Sequence, residues 1–162
     1  MGIIRQGEDE RKIKEYLDEL EFLADTAGVT GDKKFVQKLD KPEKATYIRS
    51  GKLAEIAEYC EEHEINYVIF DDELTAMQQR NVEKVIKTAA VIDRTSLILE
   101  IFSQRAKTSY AKMQVELARY NYILRALPVC GPTSSGREAE SAQEAVWAKA
   151  RSRWTAASYA NA

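Results

Sequence analysis

The fold of this chain is decided by one stretch, Tyr67-Val68-Ile69-Phe70-Asp71-Asp72-Glu73-Leu74. Four apolar residues follow one another without a break and end in acidic residues, which is typical of a strand buried on both faces of a parallel sheet. A second short apolar run, at residues 90–92, ends at Asp93 in the same way. Because helical patterns lie between and around these runs, the sequence predicts an α/β domain with a small parallel sheet flanked by helices.

Helices are indicated on either side of the strands by apolar residues at three- and four-residue steps. The first of them is expected to end near Gly28. Ser50 and Thr95 are predicted to cap two later helices, and Thr75 with Gln78 forms the capping-box pair of another. A short strand is predicted at residues 34–39 from a weak alternation of apolar and polar side chains.

The chain divides into three parts by its patterning. Residues 1–94 read as the α/β domain, and residues 95–124 as a helical arm that follows it. Residues 125–162 read as an irregular tail, because proline, glycine and serine cluster early in it and no apolar stripe follows. We expect this tail to be poorly ordered.

Composition narrows the class of protein. The chain has 162 residues, of which 44% are hydrophobic and 31% charged, the balance of a soluble globular protein. Its net charge of -2 gives no general basic field, so any RNA contact must come from a local cluster, and no DNA partner is expected. No apolar run reaches the roughly 18 residues that span a bilayer, so we expect no membrane span and a cytoplasmic monomer.

The chain has few of the residues that form disulfides or bind metal ions. Cys60 and Cys130 are the two cysteines of the chain, too few for a disulfide framework or a zinc site. His63 is the single histidine, which excludes a histidine-rich metal site. We therefore predict no resident metal and no Ser/His/Asp or Cys/His catalytic group.

Residues 49–52, with the sequence Arg-Ser-Gly-Lys, look at first like a phosphate loop. The pattern needs glycine five residues before Gly51, where Thr46 stands, and serine or threonine after the lysine, where Leu53 stands. Without a glycine-rich nest the backbone amides cannot surround a phosphate. The stretch is better interpreted as the start of a helix, so no cofactor-binding residue is predicted.

Three carboxylates are weak candidates for a ligand site. Asp71, Asp72 and Asp93 follow predicted parallel strands, and ligands of open α/β sheets bind at the carboxyl ends of the strands. A metal-binding or acid–base role would fit that position. The alternative, which the residues favour, is a solvated loop that caps the next helix.

Basic residues recur from the last strand into the arm, at Arg94, Arg105, Lys107, Lys112 and Arg119. Three tyrosines lie among them, at residues 110, 120 and 122. Arginine and lysine bind phosphates and aromatic rings stack on exposed bases, so this could be an RNA-facing surface. Taken alone, the residues favour a solvated helix face instead.

Nine stretches lie in collinear order across residues 3–124. They are EYLDELEFLA at 15–24, QKLDKP at 37–42, TYI at 46–48, SGKL at 50–53, VIFDDEL at 68–74, QRN at 79–81, IDRT at 92–95, IFSQRA at 101–106 and QVELA at 114–118. As an ordered set they resemble the N-terminal domain of HflX-family GTPases. The resemblance implies a parallel α/β domain, then a helical arm, then a GTPase domain.

In that family the first two parts dock on the large ribosomal subunit and the last binds GTP with Mg²⁺. The resemblance thus implies a ribosome-docking domain that contacts rRNA, holds no cofactor of its own and is inactive in GTP hydrolysis. It makes the basic residues from Arg105 to Arg119 better candidates for rRNA contact. Two other classes stay open: a free-standing module that binds a small ligand or nucleotide, and a protein-interaction domain.

The sequence departs from the family pattern at both ends. The family carries an apolar strand before the position of Ile3, so we expect the sheet here to expose an edge or an apolar surface. The GTPase domain with its phosphate loop is not in this sequence, which indicates truncation. Loss of one base near the codon for Leu124 would account for the tail, because residues 124–133 are compatible with the family's PRLTRMWTH in the shifted frame. Restoring that base should open a frame with a phosphate-loop motif.

Overall fold

A computed structural model describes residues 1–5 and 9–126 of the chain. In chain order the elements are β1 (Gly2–Ile4), α1 (Glu10–Thr26), β2 (Val36–Lys38), α2 (Ser50–Glu62), β3 (Tyr67–Phe70), α3 (Ala76–Val85), β4 (Ala90–Asp93), α4 (Arg94–Arg105) and α5 (Ser109–Ala126). This alternation confirms the predicted α/β fold class. The predicted irregular tail, apart from residues 125 and 126, lies outside the described residues.

The strands pair in parallel, β1 with β2 and β3 with β4. Met1 links the two pairs. Its amine donates to the Ile69 carbonyl at 2.7 Å, and its own carbonyl accepts from the Asp71 amide at 3.0 Å. Strand β1 therefore lies between β2 and β3, and the spatial order is β2-β1-β3-β4.

Helices cover both faces of this small sheet. Side chains of β3 alternate between the two faces, because successive residues of a strand point in opposite directions. Val68 and Phe70 pack under α2 and α3, whereas Tyr67 packs under α1 and α4. The buried helix residues of the first layer are Leu53, Ile56, Cys60 and Val82, and those of the second are Ile13, Leu17, Leu20, Ala24, Leu97 and Ile101. Burial on both faces explains the unbroken apolar run of β3.

The predicted capping box at the start of α3 is confirmed. The Gln78 amide donates to the Thr75 hydroxyl at 3.3 Å, and the Thr75 amide donates to the Gln78 side chain at 3.0 Å. The prediction for α4 is wrong by two residues, since Asp93 rather than Thr95 occupies the N-cap. The Asp93 carboxylate accepts from the Ser96 amide at 2.8 Å, and it is in place as soon as β4 ends.

The start of α2 is also displaced from its prediction. Arg49, not Ser50, occupies the N-cap, with φ -66° and ψ 148° and no side-chain capping bond. The Arg49 amide instead donates to the Gln37 side chain of β2 at 3.0 Å. This contact holds the residue extended, so the helix begins at Ser50.

Helices α4 and α5 occupy the region predicted as the arm. Leu97 and Ile101 of α4 are buried against α1 and the sheet, and Ile123 is the buried apolar residue of α5. Within the part of the chain that the structure describes, no helix is long and apolar enough to cross a membrane.

Candidate functional site

The carboxyl ends of β3 and β4 bring several predicted site residues together. Asp71 and Asp72 follow β3, and Asp93 is the last residue of β4, paired in register with Phe70. Arg94 follows directly and donates to Asp71 at 3.0 Å. Because both strands are parallel, their carboxyl ends meet at one edge of the sheet, as the sequence predicted.

Arg94 lies between two carboxylates. Besides Asp71 it binds Glu19 of α1 at 2.5 Å. The hydrogen bond that Arg94 donates to Glu19, and then the one that it donates to Asp71, raise the pKa of the guanidinium above its usual value. The guanidinium therefore stays charged, and it joins α1 to the end of β3. Its contacts are intramolecular.

Asp72 is held by a buried tyrosine and by an arginine. The Tyr47 hydroxyl donates to the Asp72 carboxylate, and the Arg5 guanidinium pairs with the same carboxylate at 3.6 Å. Burial, and then the hydrogen bond to Asp72, raise the pKa of Tyr47 far above its ordinary value. The phenol therefore stays protonated and acts as a donor.

The backbone of Tyr47 is unusual for a residue of its size. Its φ of 67° lies in the left-handed region, which is uncommon for residues with a side chain. Two backbone hydrogen bonds with Glu43, at 2.9 and 3.1 Å, hold this conformation. The loop thus directs the phenol into the core toward Asp72.

Asp93 is the most enclosed of the three acidic candidates, with 2% of its surface exposed. Besides capping α4 through Ser96, its carboxylate accepts from the Leu74 amide at 3.3 Å and from the Tyr122 hydroxyl of α5. Burial, and then the charge of Asp93, raise the pKa of Tyr122, so this phenol is also a permanent donor. One carboxylate thus connects β4, α4, the loop before α3 and the arm.

A polar pocket of about 330 Å³ lies at this edge. Arg5, Glu19, Asp71, Asp72 and Arg94 line it, and each of them makes an ion pair with another of the group. Among the described residues, no group of three or more His, Cys, Asp or Glu side chains could hold a metal ion. The acidic edge is a network of internal ion pairs and hydrogen bonds.

The five basic candidates separate into two groups. Arg94 and Arg119 make internal pairs, Arg119 with Glu100 of α4, and the side chains of that second pair are only 16% and 12% exposed. Arg105, Lys107 and Lys112 lie exposed around the turn between α4 and α5. Tyr110, between them, is 70% exposed. The turn therefore presents three cations and an aromatic ring to solvent.

Residues 49–52 form a helix start, as interpreted from the sequence. Gly51 lies in the first turn of α2 and has open space around it. Lys52 pairs with Glu55 one turn later at 2.8 Å, and its amine also lies 5.2 Å from the centre of the Phe35 ring. These contacts hold the lysine side chain between its own helix and the Phe35 ring.

Sequence reasoning missed the partners that fix this region. Glu19, Tyr47 and Glu100 are not among the predicted site residues, and the sequence indicates Tyr122 only as a stacking or apolar residue. The hydroxyl of Tyr47 meets a carboxylate 25 residues away, and that of Tyr122 one 29 residues away. Nothing local marks such pairs in a single sequence.

Comparison with known proteins shows which proteins this chain resembles. A protein-family model described as GTP-binding GTPase N-terminal matches residues 14–103. The GTPase HflX of Flavobacterium psychrophilum is 52% identical over 124 residues, which cover 76% of this chain and 30% of the relative. The GTPase HflX of Escherichia coli is 39% identical over 112 residues, which cover 69% of this chain and 26% of the relative. The chain thus spans about 30% or less of the length of these relatives.

Solved structures agree with the sequence relatives. A GTP-binding protein from the archaeon Sulfolobus solfataricus, in complex with GDP, superposes with a TM-score of 0.60 at 26% identity, over 93% of this chain and 44% of that chain. A variant of SsGBP superposes with a TM-score of 0.58 at 29% identity, over 76% of this chain and 38% of that chain. The chain belongs to the HflX family of GTPases, and residues 14–103 correspond to the family's N-terminal domain.

Proposed function

We propose that this domain docks an HflX-type protein on the large ribosomal subunit by binding rRNA. The observation that carries the proposal is the turn between α4 and α5, where Arg105, Lys107 and Lys112 are exposed together with Tyr110. Arginine and lysine bind phosphate oxygens, and an exposed ring stacks on unpaired bases. This turn has the groups that rRNA contact requires.

Arg94 and Arg119 act in this function as positioning residues. Arg119 pairs with Glu100 and so fixes α5 against α4, while Arg94 joins the end of the sheet to α1. Both pairs orient the turn relative to the domain. Because the chain carries a net charge of -2, a local and well-oriented cation cluster is what RNA binding needs here.

We further propose that GTP hydrolysis belongs to parts of HflX-type proteins other than these residues. The matched segment covers about a third or less of each curated relative, and the stretch that looks like a phosphate loop is the first turn of α2. GTP and Mg²⁺ would bind in the remaining length of such proteins. This chain then contributes binding and orientation.

The docking proposal is tested by cosedimentation of the chain with purified large ribosomal subunits. The test variant is Arg105→Glu/Lys107→Glu/Lys112→Glu. Its matched control is Lys44→Glu/Lys84→Glu/Lys87→Glu, which reverses three exposed lysines on other surfaces. We expect the test variant to lose at least tenfold in affinity and the control to bind like the parent chain. Each lost phosphate contact should also reduce the slope of log K against log salt by about 0.7, so about 2 in all.

Equal binding by the test variant and the parent chain would refute the docking surface. Binding that survives both high salt and ribonuclease would favour the protein-interaction class instead. A calorimetric titration with GTP decides the second proposal, for which we expect no saturable heat. Turnover of GTP by the highly purified chain would overturn it.

A further inference from the structure

The turn between α4 and α5 has a backbone held from both sides. The Ala106 amide donates to the Phe102 carbonyl at 3.0 Å and closes the last turn of α4. At the start of α5 the Thr108 hydroxyl accepts from the Ala111 amide at 3.1 Å, and the Lys112 amide donates to the Thr108 carbonyl at 3.0 Å. The side chains around the turn therefore extend from fixed backbone positions.

An aromatic ring and a thioether lie exposed on the α5 side of this turn. Tyr110 is 70% exposed and Met113 is 64% exposed. Residues three apart on a helix are neighbours on its surface, with their Cβ atoms about 5–6 Å apart. The two side chains thus form one apolar patch, in which a flat ring lies beside a flexible and polarisable side chain.

The charges around this patch are all positive. Residues 101–115 contain no acidic residue. They contain three exposed cations, at Arg105, Lys107 and Lys112. The nearest carboxylate on the α4 side, Glu100, is bound to Arg119 and only 12% exposed. The apolar patch therefore lies in a local positive field, although the whole chain carries a net charge of -2.

A ligand of this surface must supply negative charge and a flat apolar group together. RNA supplies both, because its phosphates are anionic and its unpaired bases have open π-faces. RNA is also the partner in the proposed docking function. Charge complementarity thus indicates the class of ligand, and the apolar patch indicates which part of an RNA it contacts.

Paired and unpaired RNA differ in what they offer Tyr110 and Met113. In an A-form duplex the bases are stacked inside, and a protein meets phosphates, 2′-hydroxyls and the shallow minor groove. Apolar side chains gain little from contact with such polar groups, because the hydrophobic effect requires an apolar surface on both partners. An unpaired nucleotide instead presents the face of its base to an aromatic ring. The patch therefore favours an unpaired nucleotide over a duplex.

We propose that the ligand of the α4–α5 turn is an unpaired nucleotide of rRNA. Its base stacks on the Tyr110 ring and its edge contacts Met113, while Arg105 and Lys107 bind the phosphates on either side of it. Tyr110 thus selects the kind of RNA element, and the cations supply the affinity that all RNA shares. The inference rests on the proposed docking function and specifies its ligand.

The test uses two blunt-ended RNA duplexes that differ at one position. The first carries a single bulged 2-aminopurine, and the second is the same duplex with uridine opposite the 2-aminopurine. Both are titrated with the full chain at low salt. The bulged duplex should bind about tenfold more tightly, which corresponds to one stacked base. Its 2-aminopurine fluorescence should be quenched as the base stacks on tyrosine.

Three variants separate stacking from simple apolar contact. Tyr110→Leu keeps an apolar side chain without the ring, so it should lose about tenfold in affinity for the bulged duplex, together with the quenching. Tyr110→Phe keeps the ring and should bind like the parent chain. Phe22→Leu is the matched control, because Phe22 of α1 is an equally exposed ring, at 69%, away from the turn. Tyr110→Leu should leave the slope of log K against log salt unchanged, because it removes no phosphate contact.

Cosedimentation with large ribosomal subunits distinguishes failure of this inference from failure of the docking function. If Tyr110→Leu binds subunits like the parent chain while the triple charge reversal does not, docking stands and the stacked nucleotide is overturned. Equal affinity for the two duplexes, or binding of neither, would also overturn it. In that case a subunit-binding defect of Tyr110→Leu would mean that the ring contacts a ribosomal protein. Absence of subunit binding by the parent chain would refute docking itself, and the rRNA ligand with it.

Discussion

Replacement of Asp93 by alanine should destabilise the domain by more than the loss of one helix cap. The carboxylate is buried and accepts three hydrogen bonds, from the amides of Ser96 and Leu74 and from the Tyr122 hydroxyl. Loss of the helix cap costs about 1 kcal/mol. Each of the two other buried donors then lacks its acceptor, at about 1 kcal/mol or more apiece. We expect the free energy of unfolding to fall by about 3 kcal/mol in total.

Urea denaturation followed by far-ultraviolet circular dichroism measures this loss. Asp40→Ala is the matched control, because Asp40 is exposed and its replacement should change stability by no more than about 0.5 kcal/mol. Tyr122→Phe removes one of the three donors and should cost about 1–2 kcal/mol. In the double mutant the Tyr122 change should cost much less, because its acceptor has already gone, which gives a coupling energy of about 1 kcal/mol.

Two results would refute this reasoning. A loss below about 1 kcal/mol for Asp93→Ala would mean that the carboxylate carries little beyond the cap. Strict additivity of the Asp93 and Tyr122 changes would mean that the arm is not fixed through this contact. After either outcome, Asp93 would again be a candidate ligand group at the strand ends.

Three further predictions concern the terminal amine, a buried ion pair and the core. The pKa of the Met1 amine is about 6 in the folded chain and 8.0 ordinarily, so the unfolded chain binds more protons between these values. Stability should thus rise with pH across this range and be about 2 kcal/mol lower at pH 6 than above pH 8, a dependence that N-terminal acetylation should remove in urea titrations. Glu100→Ala leaves the enclosed Arg119 guanidinium without this carboxylate and should lower the free energy of unfolding by about 3 kcal/mol. Replacement of both residues by methionine should restore most of that loss. Phe70→Ala should cost about 3–5 kcal/mol in the same assay and Phe102→Ala, whose side chain is exposed, less than about 1.

The sheet could be predicted from the sequence because burial on both faces leaves a local mark. Strands β3 and β4 have no polar residue before their acidic ends, and their observed bounds agree with the apolar runs. The capping box of α3 is equally local, since its two members are three residues apart. The caps of α2 and α4 could not be chosen the same way. In each case the N-cap is a neighbouring residue that a strand holds in place, Arg49 through Gln37 of β2 and Asp93 as the end of β4. The position of a strand depends on tertiary packing, which the local sequence does not show.

The basic surface could be predicted only in part, because α5 is apolar on more than one side. Met113, Leu117 and Leu124 are exposed, whereas Ile123 is buried. With apolar side chains in both directions, the periodicity of the helix does not identify its inner face. The sequence therefore could not tell that Arg119 faces inward while Lys112 faces solvent. That difference arises from the packing of α5 on α4.

The acidic edge and the basic arm act as one structural unit. In many open α/β sheets the carboxyl ends of the strands hold a ligand. Here Asp93 binds Tyr122 of the arm, and Asp71 binds Arg94 at the start of α4, so the same edge fixes the root of the arm. The proposed docking function needs the contact residues to be held at a set angle to the part that the domain carries. Asp93 itself does not contact RNA in the proposed docking mode. Substitutions of Asp93 should nevertheless weaken ribosome binding, and the loss should increase with the lost coupling between α5 and the sheet.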